Sequence, residues 1–225
     1  MAFDALVAGD IDVYVDYSGT LWSTILKEPP EADREKVLRE TTQRLSRDHG
    51  VSVVCALGFE NTYAMAMRRD RAAALGVTKL ADLGPLAPRL SIGGDYEFFA
   101  REEWASVRSK YGLSFNTERS MDPSLMYGAA RHGEVDVISA FSTDGRIDAY
   151  DLVVLSDDRG AIPPYDAVVL ASGRLARTRP EIVHALRALA GTIDAGRMRA
   201  INRAVDEGAL RPAEAAAELD PVAPQ

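Results

Sequence analysis

The three histidines and the single cysteine are the first candidates for catalytic chemistry in this chain. His49, His132 and His184 each fall within or at the end of an amphipathic helical stretch, and none has metal-ligand spacing to a carboxylate or cysteine. G-x-S-x-G, phosphate-loop and H-E-x-x-H patterns are absent from the sequence, "GGDYEFF" lacks the dinucleotide fingerprint, and "TDGR" reads as a turn. Cys55, in "VSVVCALGF", reads as a buried inert thiol, and one cysteine excludes an internal disulfide and a multi-cysteine zinc site. No catalytic residue, metal or cofactor is therefore expected. What stands out is aromatic residues at element ends: Tyr17 closes a strand, Tyr63 opens one after the turn "ENT", and Phe141 closes "DVISAF". Tyr165 follows two prolines that keep the preceding backbone extended. Ligands of open α/β sheets bind at the carboxyl ends of strands, so these rings could converge on one cleft. For any single ring, core packing is the alternative account.

The elements that would carry these residues alternate in type. In "IDVYVDY", Ile11, Val13 and Val15 alternate with Asp12, Tyr14 and Asp16, the two-residue period of a strand with one buried face. The pattern turns helical at Ser18-Gly19-Thr20 and continues to about residue 28, where "EPP" stops it. A charged amphipathic helix over 31–48 turns Val37, Leu38 and Leu45 inward. "VSVVCAL" and "TYAMAMRRD" are strands, and "KLADLGPLA" is a short helix behind Thr78 as N-cap. "RLSIGG" is a strand, "YEFFAREEWASVRSKYG" one helix stopped by Gly112, and "PSLMYGAARHG" a helix turning into the buried strand "EVDVISAF". "LVVLSDD" and "DAVVLAS" flank the loop "RGAIPPY", and from Arg179 the chain is mostly helical. Such alternation predicts an α/β fold.

With 225 residues and 47% hydrophobic composition, the chain is long enough for one large domain or two modest lobes with real cores. A net charge of -8 without a basic run argues against nucleic acid as a partner. No apolar run approaches the length of a membrane span, and "MAFDALVAGDID" has neither the basic nor the apolar region of a signal peptide.

Five stretches, "GDIDVYVDYSGT", "GFENTYAMAMR", "AREEW", "FSTDGRI" and "DDRGAIPPYDAVVL", occur in the order seen in the substrate-binding proteins of osmoprotectant ABC transporters, which the whole chain resembles. The resemblance implies a two-lobed type II periplasmic-binding fold with a hinge, the ligand held between the lobes, and a glycine betaine, carnitine or choline-like solute delivered to permease and ATPase subunits. It implies lobe I from residues 1–60 and 165–225, lobe II from 61–164, and a location outside the cytoplasm, periplasmic or membrane-associated. Carried over by motif, an aromatic box is formed by Tyr17, Tyr63, Phe141 and Tyr165, with Thr20 and Arg101 as carboxylate anchors. Phe141 keeps a ring face but lacks the hydroxyl that some members have there. Pairing with Glu97 or Glu102 on a surface helix is the alternative for Arg101.

A quaternary ammonium group has no N–H donor, so ring faces must hold it, at about 0.5–2 kcal/mol each. Four rings give about 2–8 kcal/mol before entropy costs, which is compatible with micromolar binding. The Ser18–Thr20 N–H groups at a helix start suit a ligand carboxylate. Relatives are expected to carry a leader and then a first strand and helix ahead of "FDALVAGDID", roughly 30 residues or more, so the first lobe is expected to be truncated at its start. A ligand-sensing regulatory domain of the same fold is the alternative function. An enzyme acting on choline-like substrates is the third, and no nucleophile or metal site supports it.

Overall fold

The computed structural model of the protein describes residues 2–219. These form two compact units, one of residues 2–61, 163–198 and 216–219, the other of residues 62–162 and 199–215.

The first unit is built on a three-stranded antiparallel sheet in the order β1 (Val13–Tyr17), β8 (Asp166–Ala171), β2 (Ser52–Glu60). All six residues of β8 are buried, as expected of an unalternating run, "DAVVLA", covered on both faces. Val168 and Leu170 pack with Leu6, Leu21, Trp22, Val37 and Leu45, and Ala167 and Val169 pack with Leu57, Phe59 and Ile193. As an edge strand, β1 departs from the expected single buried face. Val15 is 47% exposed, Tyr14 joins the Leu6 cluster, and Val13 and Tyr17 join the Phe59 cluster. Beyond β1 the chain makes one α-helical turn, Ser18–Thr20, and then a π-helical segment, Leu21–Ile25, which ends before "EPP". The charged helix runs over Arg34–His49, with the Asp33 carboxylate accepting the Lys36 N–H at its start and Gly50 in the left-handed conformation at its end.

The second unit holds a five-stranded sheet in the order β5 (Thr117–Ser120), β4 (Ser91–Gly94), β6 (Val137–Phe141), β3 (Tyr63–Arg68), β7 (Leu152–Val154). β4 is parallel to β5 and β6, whereas β3 is antiparallel to β6 and β7. The two-residue period of β3 separates two buried faces. Met65 and Met67 enter a core with Leu80, Ile92 and Trp104, and Ala66 lies against Met126, Tyr127 and Ile138. β5 has no counterpart among the expected strands, because "TERS" is mostly exposed at a sheet edge and shows no apolar period.

Two expected helix starts shift for local reasons. Thr78 does not cap: the next helix runs over Leu80–Leu83, and Asp82 accepts the N–H groups of Thr78 and Lys79. The helix expected over 96–112 is instead a 3-10 turn, Phe98–Ala100, an extended residue, Arg101, and a helix, Glu102–Tyr111. Residues 199–215 belong to the second unit, whereas the resemblance implies that everything after 165 belongs to the first lobe. Arg199 and Asn202, on the helix Ala195–Asp206, donate to the carbonyls of Ser142 and Thr143, at 3.0 and 2.8 Å. An amphipathic pattern states that a helix packs but not against what.

Candidate functional site

In the second unit, antiparallel pairing brings a strand start and a strand end together. Tyr63, first in β3, stands opposite Phe141, last in β6, with ring centroids 4.9 Å apart. Phe98 adds a third ring 5.1 Å from Tyr63 and continues the packing to Phe99 and Trp104. A glycine ends β4 for this reason: a Cβ on Gly94 would lie 2.8 Å from the Phe98 ring. The Tyr63 hydroxyl donates to Asp95 Oδ2 at 3.0 Å, and the other Asp95 oxygen accepts the N–H groups of Glu97 and Phe98, both at 2.9 Å. Burial first, and then the Asp95 hydrogen bond and charge, push the Tyr63 phenol up, so it remains a neutral donor.

Arg101 sits with its guanidinium carbon 5.3 Å from the Tyr63 ring centroid. Its Nε and Nη2 donate to the two carboxylate oxygens of Glu103, at 3.1 and 3.0 Å, and Nη1 lies 3.8 Å from Glu97. Of the two alternative partners expected, Glu97 is found beside Arg101, and Glu103 rather than Glu102 takes its hydrogen bonds, because the helix begins after Arg101 rather than running through it. Phe141 is fixed by its own N–H, which donates to the hydroxyl of buried Tyr127 at 2.9 Å. Arg146 lies 4.1 Å from the Tyr127 ring and is held by Asp144 through Nε and Nη2, at 2.9 and 2.6 Å.

In the first unit, Tyr17 ends β1 opposite Ala167 and packs with Leu57, Phe59 and Ile193. Tyr165 precedes β8, and its backbone is held to the end of β2: its N–H donates to the Glu60 carboxylate at 3.3 Å, and its carbonyl accepts from Asn61 at 3.2 Å. The Tyr165 ring lies directly on the helix start. A Cβ on Gly19 would be 2.7 Å from that ring and 2.8 Å from the Pro164 carbonyl, so only glycine allows the approach. Thr20 follows in the same turn, half-buried. The buried Ser18 hydroxyl accepts the Asp166 N–H at 2.9 Å. Asp166 is itself buried and bonded through Oδ1 to Arg34, while its Oδ2 has no hydrogen-bond partner. Burial lowers the Arg34 pKa, but the Asp166 bond and charge outweigh this and raise it.

Tyr63, Phe141 and Arg101 are thus brought together in one unit, and Tyr165 and the Ser18–Thr20 turn in the other. Tyr63 and Tyr165 stand at amino ends of antiparallel strands, so the carboxyl-end rule does not place them; pairing with β6 and β2 does. Asp95, Phe98, Glu103, Arg34 and Asp166 were missed as site neighbours. The acidic residue directly after "GG" and the one directly after Tyr165, each flanking an apolar strand, were the available signals.

A family model, the substrate binding domain of ABC-type glycine betaine transport systems, matches residues 1–219. The chain belongs to this OpuAC family. It is 30% identical over 218 residues to the carnitine transport binding protein OpuCC of Listeria monocytogenes, covering 96% of this chain and 71% of that protein. It is also 30% identical over 204 residues to the ergothioneine transport permease/ergothioneine binding protein EgtU of Helicobacter pylori, covering 90% of this chain. The chain spans only 36% of the length of that second relative. The crystal structure of a glycine betaine/carnitine/choline ABC transporter superposes with a TM-score of 0.91 at 33% identity, over 96% of this chain and 80% of that one. As in other OpuAC members the fold is the type II periplasmic-binding type. Among the described residues, no helix is long and apolar enough to cross a membrane, and no cluster of His, Cys, Asp and Glu is placed to hold a metal.

Proposed function

We propose that this OpuAC-family chain is the solute receptor of an ABC importer, working outside the cytoplasm, and that it binds a quaternary ammonium osmoprotectant. Tyr17 and Tyr165 in the first unit and Tyr63 and Phe141 in the second supply ring faces for the ammonium head. Thr20 and Arg101 are the polar contacts for the rest of the ligand. The observation that carries this reading is the register of β3 and β6, which sets Tyr63 opposite Phe141 beside a guanidinium, in a chain matched to the family over residues 1–219. A head that offers no hydrogen-bond donor is recognised by ring faces, and each is worth about 0.5–2 kcal/mol. Hinge closure on the ligand would create the form that the permease and its ATPase partner accept.

Calorimetric titration with glycine betaine, carnitine and choline tests the reading. At least one should bind, and Tyr17→Ala, Tyr63→Ala and Tyr165→Ala should each weaken it about tenfold, with phenylalanine tolerated better. Unchanged affinity in two folded alanine variants would remove the box assignment, and no binding by any of the three solutes would remove the function.

A further inference from the structure

Within the second unit, the loop that follows Phe141 is held by two separate groups of contacts. One is the buried Tyr127 hydroxyl, which accepts the Phe141 N–H at 2.9 Å and is hydrogen-bonded to Asp144. The other is the helix Ala195–Asp206. Arg199 Nη1 donates to the Ser142 carbonyl at 3.0 Å, Asn202 Nδ2 donates to the Thr143 carbonyl at 2.8 Å, and Arg199 Nε lies 3.5 Å from Asp148 Oδ1. Gly145 is buried against this helix: a Cβ there would stand 2.4 Å from the Arg203 nitrogen and 2.6 Å from its Cα, so main chain lies on main chain. Among the described residues, none of this helix is fully buried, and none of 199–206 joins the large hydrophobic clusters of the unit. Polar side chains and a close main-chain approach, rather than a buried apolar face, tie the helix to the loop. The two carbonyls it holds belong to the residues directly after Phe141, so they fix the path of the main chain that carries the ring.

We infer that Arg199 and Asn202 are positioning residues of the ligand site: by holding the Ser142 and Thr143 carbonyls they set the Phe141 ring against Tyr63, and so tune affinity for the ammonium head. This rests on the quaternary ammonium reading proposed above, in which Phe141 is a ring wall. Neither residue need touch the ligand, since each acts through the main chain next to the ring.

The probe is whichever of glycine betaine, carnitine and choline the unmodified protein binds most tightly, titrated by calorimetry well below the melting temperature of every variant. Asn202→Ala should weaken it about fivefold, and thermal melting checks that the variant is folded. A double-mutant cycle separates positioning from a merely structural role. Phe141→Ala alone should weaken the probe about tenfold, and adding Asn202→Ala to it should change the affinity by less than about twofold. Losses that multiply in the double variant overturn the inference, because the helix would then act on binding by a route other than the ring. Unmodified affinity in Asn202→Ala overturns it too. Arg199→Lys and Arg199→Met give a second comparison, since both keep an unbranched stem and only lysine keeps a donor for the Ser142 carbonyl. The lysine variant should stay within about twofold of the unmodified protein and the methionine variant should lose about fivefold, and equal affinities in the two overturn the inference. The quaternary ammonium reading survives each of these outcomes. Unchanged binding by Phe141→Ala removes that ring from the site and this inference with it, and failure of all three solutes to bind the unmodified protein overturns the reading as well.

Discussion

The aromatic residues of the two units are held by different physics. In the second unit Tyr63 is the outer member of a ring stack, Phe98, Phe99 and Trp104, that is continuous with the hydrophobic core, and its hydroxyl is tied to a buried carboxylate. In the first, Tyr165 lies on a glycine, and its backbone is held by Glu60 and Asn61. A site wall can thus be an extension of the core or a ring laid on buried main chain. The first kind ties recognition to stability, while the second separates them.

The largest expected effect tests that contrast directly. Tyr63→Ala removes contacts with Phe98 and Phe141 and leaves Asp95 Oδ2 without its donor, so unfolding in urea should show a loss of about 2–4 kcal/mol. Tyr165→Ala should cost less than about 1 kcal/mol in the same assay while still weakening the ligand. Comparable stability losses in the two variants would end the comparison.

Next in size is Gly19→Ala. The added methyl meets the Tyr165 ring and the Pro164 carbonyl, so overpacking of about 1–3 kcal/mol is expected in the melting profile, together with weaker solute binding. A variant as stable and as tight-binding as the parent would show that Tyr165 is free to move off the helix start.

Arg34→Ala should then cost about 1–2 kcal/mol, because it strips the cation from the buried Asp166 carboxylate beside Tyr165; half-exposure of the arginine side chain keeps the effect modest. Restoration by Arg34→Ala combined with Asp166→Asn, read in the same urea titration, would attribute the loss to the orphaned charge.

The smallest effect is a pH dependence behind Phe141. Burial pushes the Asp144 carboxyl up, but the hydrogen bonds and charge of Arg146 outweigh it and hold the group below its ordinary range. A folded-state pKa below the unfolded one contributes stability that is present in full above about pH 4 and is lost as pH falls through the folded value. Melting temperatures from pH 6 down to pH 3 should therefore fall more steeply for the parent than for Asp144→Asn, and parallel profiles would contradict this.

Much of this was legible in the sequence, and for local reasons. Strand against helix, the stops at "EPP" and at Gly112, and the inward face of the helix Arg34–His49 follow from side-chain period and from the backbone limits of proline and glycine. The placing of aromatic residues at element ends could be read in the same way, since each end is marked by its neighbours. Decisions that join distant segments were not legible. The register that sets Tyr63 against Phe141, the choice of Glu103 over Glu102 by Arg101, and the docking of Arg199 and Asn202 on the loop after β6 depend on partners whose separation along the chain carries no local signal. Local patterns set what each segment is because backbone sterics and hydrophobic period act over a few residues. Which charge meets which ring is decided only when packed surfaces must satisfy buried polar groups, and that condition exists in the folded chain alone.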